Sequence, residues 1–168
     1  MDMRAVLVDD EQLARDELGY LLGQVGGVDI IGQAGHGVEA LTTIEQLQPD
    51  VVFLDIQMPG LNGFEVARRM VQNHASSHII FVTAYDQHAI EAFEVNAVDY
   101  LLKPVDQARL EVAVERVRRR IAAERLDVLI EISPDHWVNF FIDNLPGICV
   151  GVGEMHDGPP EPWLKEFP

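Results

Sequence analysis

Cysteine is almost missing. Cys149 stands alone among 168 residues, so no disulfide can close within the chain, and a reducing, cytoplasmic setting is expected. Positive charge is also scarce. There are 12 Lys and Arg against 28 Asp and Glu, a formal net charge of −16, and such a field repels nucleic acid. Residues 127–168 carry eight acids against the single base Lys165, so direct DNA contact is not expected there either. No apolar run reaches membrane-spanning length, and no membrane association is expected. The opening MDMRAVLVDDEQ meets paired acids too early for a secretory signal. The six histidines show no paired ligand spacing, which argues against a zinc site. There is no P-loop. Gly32, Gly35 and Gly37 form G-x-x-G-x-G, the wrong order for a dinucleotide fingerprint, and read as turn chemistry.

What is present is a rhythm. Short apolar runs at 4–8, 28–34, 51–54, 79–82 and 98–102 read as strands buried on both faces. Helical patterns lie between them at about 11–25, 37–47, 63–73, 86–96 and 106–125. Leu18, Leu21, Leu22 and Val25 keep a three-to-four spacing, as do Leu110, Val114, Val117 and Ile121. Asp86 and Asp106 are placed to cap the helices that follow them. The arginines of RVRRR (116–120) alternate with core positions, as on a solvated helix face. Five alternations of strand and helix predict an α/β fold, a doubly wound parallel sheet with helices on both faces.

After residue 125 the rhythm stops. Residues 126–168 form an acidic extension holding six of the nine prolines. Within it 127–132 and 148–152 read as short strands. Ser133-Pro134-Asp135 reads as the start of a helix carrying Trp137, Phe141 and Leu145 on one face. The proline-rich end reads as irregular.

The strands end in a pattern. Asp9-Asp10 follows the first, Asp55 the third, Thr83 closes the fourth and Lys103 follows the fifth. In an open parallel sheet, ligands bind beyond the carboxyl ends of the strands. Three clustered carboxylates demand a cation, and oxygen-only ligands favour Mg²⁺. A carboxylate beside such an ion can attack phosphorus, while a lysine and a hydroxyl bind phosphoryl oxygens. Each residue alone has a plainer reading: a helix cap for Asp9-Asp10, a turn for Asp55, a solvated lysine, a packed Tyr100.

The set VDDE (8–11), FLDIQMPGLNG (53–63), VTAY (82–85) and DYLLKP (99–104) resembles the response regulator receiver domains of two-component signalling, over roughly residues 1–125. Residues 83–106 are most similar to receivers joined to LytTR-type DNA-binding domains. The resemblance implies a flavodoxin-like sheet of order 2-1-3-4-5. It implies that Asp55 accepts a phosphoryl group from a sensor histidine kinase. Asp10, Asp55 and the backbone carbonyl of Gln57 would hold Mg²⁺, with Asp9 acting through water. Lys103 and Thr83 would bind the phosphate, and Tyr100 would move with Thr83. Pro59, Gly60 and Gly63 would shape the loop after Asp55, and the Lys103–Pro104 bond would be cis. Tyr85 flanks the site, and its ring is expected to shield the phosphate from water.

The switching face implied by the resemblance spans about residues 86–121 and usually dimerises on phosphorylation. Ile90, Phe93, Val95 and Val105 are its candidate contacts. Two other readings compete. An aspartyl phosphatase would need a second acid two residues after its nucleophile, and Gln57 stands there instead. A degenerate receiver serving only as an interaction module fits poorly with a complete set of acids, hydroxyl and lysine. Residues 126–168 do not resemble the basic DNA-binding domain of such regulators. Three readings are open: a docking element, an altered or partial regulator, or a stand-alone receiver acting through dimerisation or a partner.

Overall fold

Each apolar run carries side chains for two opposite faces, and both faces are covered. In the computed structural model the described residues are 2–85, 95–124, 129–132 and 138–141. The chain divides into two units, Met1–Arg125 and Leu126–Pro168. In the first, strands β1 (Met3–Val8), β2 (Val28–Ala34), β3 (Val51–Leu54), β4 (His78–Thr83) and β5 (Asp99–Leu102) alternate with helices α1 (Gln12–Val25), α2 (Gly37–Leu47), α3 (Gly63–Gln72) and α4 (Gln107–Glu124). The strands pair in parallel in the order β2-β1-β3-β4-β5. The helix predicted over 86–96, with its Asp86 cap, falls mostly outside the described residues. Val95 and Asn96 form a turn leading towards β5.

The period-two geometry of strands sorts the core. Val6, Val8, Val52, Leu54, Ile79 and Phe81 face α2 and α3, meeting Ala40, Ile44, Phe64, Val66 and Met70. Ala5, Leu7, Val51, Phe53, Ile80 and Val82 face the other way, onto Leu18 and Leu22 of α1 and Leu110, Val114 and Val117 of α4. Two apolar layers on one sheet explain why these strands read as continuous apolar runs instead of alternating ones.

The helices start where chemistry allows. Asp106 Oδ1 accepts from the Arg109 amide at 3.0 Å and so caps α4. Asn62 and Glu65 form a reciprocal capping box at the start of α3, with both bonds at 2.9 Å. The arginines of 116–120 are used locally. Arg116 pairs with Asp99 at 2.8 Å, Arg118 donates to the Gly26 carbonyl at 2.7 Å, and Arg119 pairs with Glu115 at 3.1 Å. Part of the stretch read as a solvated face therefore ties α4 to its neighbours.

In the second unit, β6 (Leu129–Ile132) and β7 (Val138–Phe141) pair antiparallel, with Leu129 opposite Phe141 and Ile132 opposite Val138. The strand predicted over 127–132 therefore exists at 129–132. The helix predicted through Trp137, Phe141 and Leu145 is overturned at 138–141. Val-Asn-Phe-Phe has strand propensity, and a partner strand supplied by β6 satisfies its backbone. The strand predicted over 148–152 lies outside the described residues.

The loop from Ile56 to Asn62 is closed by the Gly63 amide donating to the Ile56 carbonyl at 2.9 Å. A Cβ on Gly63 would collide with the Asp55 carbonyl oxygen and sit 2.9 Å from Ile56 Cα. Gly60 differs: it has φ +80° and open space around it. Gly63→Ala should therefore lose about 2 kcal/mol or more in urea unfolding, since backbone must shift. Gly60→Ala should lose only about 1 kcal/mol, the cost of a left-handed alanine. Equal stability of Gly63→Ala and wild type would refute the close approach.

Candidate functional site

The last ladder bonds of the sheet place the polar residues. The Asp9 amide donates to the Ala34 carbonyl at 3.1 Å, Asp55 to Val8 at 2.8 Å and Lys103 to Thr83 at 2.8 Å. Each residue is thus the first beyond its strand but still held by the neighbouring one. The site lies where strand order reverses, since β1 has β2 on one side and β3 on the other.

Asp9, Asp55 and Thr83 are the buried polar residues among those described, at 7, 6 and 0% exposure. Lys103 Nζ lies 2.6 Å from Asp9 Oδ2 and 3.6 Å from Asp55 Oδ2. Asp9 Oδ1 accepts from the Glu11 amide at 2.9 Å, so both its oxygens are engaged. It tightens the turn before α1 and does not cap the helix, whose N-cap Glu11 makes no side-chain cap bond. Asp55 Oδ1 accepts from the Ile56 amide at 2.8 Å. Asp10 is exposed and makes no hydrogen bond or ion pair among the described residues. One carboxylate oxygen from each of Asp9, Asp10 and Asp55 lies within 4.8 Å of the others. An all-oxygen set of this spacing and charge fits a hard divalent cation.

Burial pushes the Asp55 carboxyl above its ordinary 3.8. Lys103 works against that shift, Asp9 adds to it, and the Thr83 hydroxyl and Ile56 amide lower it again. Although it influences Asp55, Thr83 Oγ1 makes no hydrogen bond of acceptable geometry among the described residues. Burial works against the charge of Lys103, but its hydrogen bond with Asp9 and the charges of Asp55, Asp9 and Glu11 outweigh it. Its pKa is raised.

The Tyr100 hydroxyl donates to the Tyr85 carbonyl, and the Tyr100 ring is tilted against Phe81 at 6.4 Å. Tyr85 is 44% exposed. Gln57, Pro59 and Asp10 line one cleft of about 530 Å³. The Lys103–Pro104 bond is cis. Val105 is half-buried and packs against the α1–α4 side of the core. Val95 is corrected: at 5% exposure it packs in the core against the opposite face of the sheet, and a buried side chain offers a partner no surface. Ile90 and Phe93 lie outside the described residues. One contributor escaped sequence reasoning. Arg15 Nη1 donates to the Asp9 carbonyl at 2.5 Å, and Arg15 Nε donates to Gln33 at 3.2 Å. Its position six residues after Asp9, in the first turn or so of α1, was the only available signal.

The sequence profile described as "Response regulator receiver domain" matches residues 5–115. The chain belongs to the response regulator receiver family. This receiver is 52% identical over 153 residues to an uncharacterized response regulatory protein of Vibrio cholerae, covering 91% of the chain and 60% of that protein. It is 41% identical over 129 residues to the transcriptional regulatory protein BtsR of Escherichia coli, covering 77% of the chain and 54% of BtsR. The chain thus spans less than two thirds of these relatives. The response regulatory domain of protein mrkE from Klebsiella pneumoniae matches with TM-score 0.67 and 33% identity, covering 72% of this chain and 99% of that one. The REC domain of AraT from Geobacillus stearothermophilus matches with TM-score 0.68 and 28% identity, covering 75% and 100%. No described helix is long and apolar enough to cross a membrane.

A raised carboxyl pKa has a stability consequence. The group favours the fold while protonated, below its ordinary 3.8, and that contribution is lost as pH rises through the elevated folded value. At neutral pH, ionised Asp55 therefore costs stability unless a cation is bound. In chelator at pH ~7, Asp55→Asn should raise Tm by about 3 °C, since Lys103 keeps its partner Asp9. The gain should fade towards pH ~4. A lower Tm for the variant at neutral pH would show that the Lys103 attraction outweighs burial.

Proposed function

We propose that Asp55 accepts a phosphoryl group from the phosphohistidine of a sensor histidine kinase, and that the phosphorylated receiver acts as a signalling switch. The observation that carries this reading is the convergence at one sheet edge of three carboxylates, Lys103 and the Thr83 hydroxyl, which has no hydrogen-bond partner among the described residues. Asp10, Asp55 and the Gln57 backbone carbonyl would hold Mg²⁺ directly. Asp9, with both oxygens engaged by Lys103 and the Glu11 amide, would act through water. When bound, the ion would neutralise the phosphoryl oxygens and the clustered acids.

The chain's own groups do the rest. An Asp55 oxygen attacks phosphorus, and the bond from phosphorus to the imidazole nitrogen breaks with its electron pair on the ring. Lys103 pairs with the phosphoryl oxygens. Thr83, buried and without a hydrogen-bond partner among the described residues, donates to one of them, and Tyr100 follows the vacated space. Phosphorylation brings roughly two negative charges, enough to bias the face around β5 and α4 towards a homodimer. Val95 is withdrawn from that face, and Val105, half-buried, is the candidate left among the described residues.

On this reading the receiver is a phosphoacceptor rather than an enzyme, and Gln57 in place of a second acid disfavours the phosphatase alternative. Its wider role is transcriptional control in a LytTR-type regulator, supported by the likeness to BtsR, a protein named as a transcriptional regulator. The boundary near residue 125 separates the receiver from an acidic extension, which is not proposed to contact DNA.

Two measurements follow. Light scattering with Mg²⁺ and beryllofluoride, an aspartyl-phosphate mimic, should show monomer converting to dimer. Asp55→Asn should abolish the shift. A wild-type mass that does not change refutes phosphorylation-driven dimerisation, and absence of beryllofluoride binding refutes the phosphoacceptor site itself. The exposed Tyr85 ring is proposed to shield the acyl phosphate, so Tyr85→Ala should shorten its half-life several-fold. An unchanged half-life removes that role.

A further inference from the structure

The cleft beside the acids holds groups that the proposed chemistry does not use. Asp10, Gln57, Met58, Asn62, Phe64 and Arg68 all line it. Most arginines of the receiver are tied down. Arg4 and Arg118 hold carbonyls of their own fold, Arg15 holds the Asp9 carbonyl, and Arg109 and Arg116 pair with Asp99. Arg68 is exposed and makes no hydrogen bond or ion pair among the described residues. Arg69 and Arg120 are likewise untied, but neither lines this cleft. Asn62 Oδ1 is occupied by the Glu65 amide at 2.9 Å, which leaves its amide nitrogen as an open donor. The Gln57 side chain is also without a partner among the described residues.

A mixed lining, apolar at Ile56, Met58 and Phe64 and carrying three open donors, one a guanidinium, complements a small carboxylate with a short alkyl part. A guanidinium fork matches a carboxylate in both plane and charge. We propose that this cleft is a leaving-group subsite for acyl phosphates, with Arg68 as the residue that selects them over donors whose leaving group is neutral. The inference rests on Asp55 being the phosphoacceptor. In the step, an Asp55 oxygen forms a bond to phosphorus while the bond from phosphorus to the acyl oxygen breaks. The electron pair departs on the carboxylate, and no proton is needed. Charge therefore develops on the leaving group, away from Asp55, where a cation helps most. Asp10 lines the same cleft, and the Mg²⁺ it would hold offsets its charge. A phosphoramidate instead releases a neutral amine and gains nothing from Arg68.

The test compares initial rates of Asp55 phosphorylation by acetyl phosphate and by phosphoramidate, both with Mg²⁺, read by intact-protein mass. Arg68→Met should slow the acetyl phosphate reaction about tenfold, the loss expected for one charge-assisted contact, and leave the phosphoramidate rate within about twofold. Arg68→Lys, which keeps the charge without the fork, should fall between. Equal slowing with both donors, or no slowing with either, overturns the subsite while leaving the phosphoacceptor reading in place. Failure of wild type to be phosphorylated by either donor, or labelling that survives in Asp55→Asn, overturns both. Because Arg68 holds no structural partner, its variants should melt with wild type. A variant that unfolds would show that Arg68 is structural and overturn the assignment.

Discussion

Buried negative charge at the end of a parallel sheet is the constraint on which the rest of this receiver depends. Asp9 and Asp55 are almost wholly withdrawn from water, within reach of each other and of exposed Asp10. Such a cluster is unfavourable unless it is partnered. Lys103 is the partner that the fold provides, and it serves both buried acids at once. The lysine reaches them because its own amide is held by the Thr83 carbonyl, at the end of the strand beside β5. The arrangement needs the strand order as much as the residues. Were β5 not beside β4, and β4 beside β3, Lys103 would be out of range of the acids it offsets.

That dependence explains why so much of the site could be read from the chain. When both faces of a sheet are covered, the strands are apolar throughout, and a polar residue stands out where the strand stops. Asp9-Asp10, Asp55, Thr83 and Lys103 announce themselves this way. The runs 28–34 and 51–54 agree with the observed strands to the residue. What failed to show was of a different kind. Arg15 reaches a backbone carbonyl, and a carbonyl leaves no mark on side-chain patterning. Val95 sits in a helical pattern that is apolar on more than one side, so spacing could not say which side faces the core. Phe141 lies four residues from Trp137, as a helix face would have it. Yet the strand opposite, β6, decides the matter from nine or more residues away in the chain. Non-local pairing overrides a local period of so few residues.

The second unit is more than an unrelated appendage. The alignment with the Vibrio cholerae protein runs over 153 residues, whereas the first unit ends at Arg125. Some of the region beyond Arg125 is therefore shared with that relative. Two antiparallel strands alone are marginal in water and ordinarily gain stability from further strands or a packed helix.

One group at the site is left unsatisfied, and it is the one the proposed switch would use. Thr83 Oγ1 is buried at the end of β4 without a hydrogen-bond partner among the described residues, a state that costs about 1–3 kcal/mol. Asp9, Asp55 and Lys103 are all held by neighbours, so they have little to gain by moving. Thr83 has a bond to gain. A phosphoryl oxygen on Asp55 would supply it, and the energy released would fall on the strand adjacent to β5. The Tyr100 ring is packed against Phe81, two residues before Thr83 on β4, while its hydroxyl is bonded to the carbonyl of Tyr85, two residues after it. On the proposed switch, a shift of Thr83 would act between two residues that Tyr100 touches, Phe81 and Tyr85, and those contacts would carry it towards β5 at the edge of the sheet.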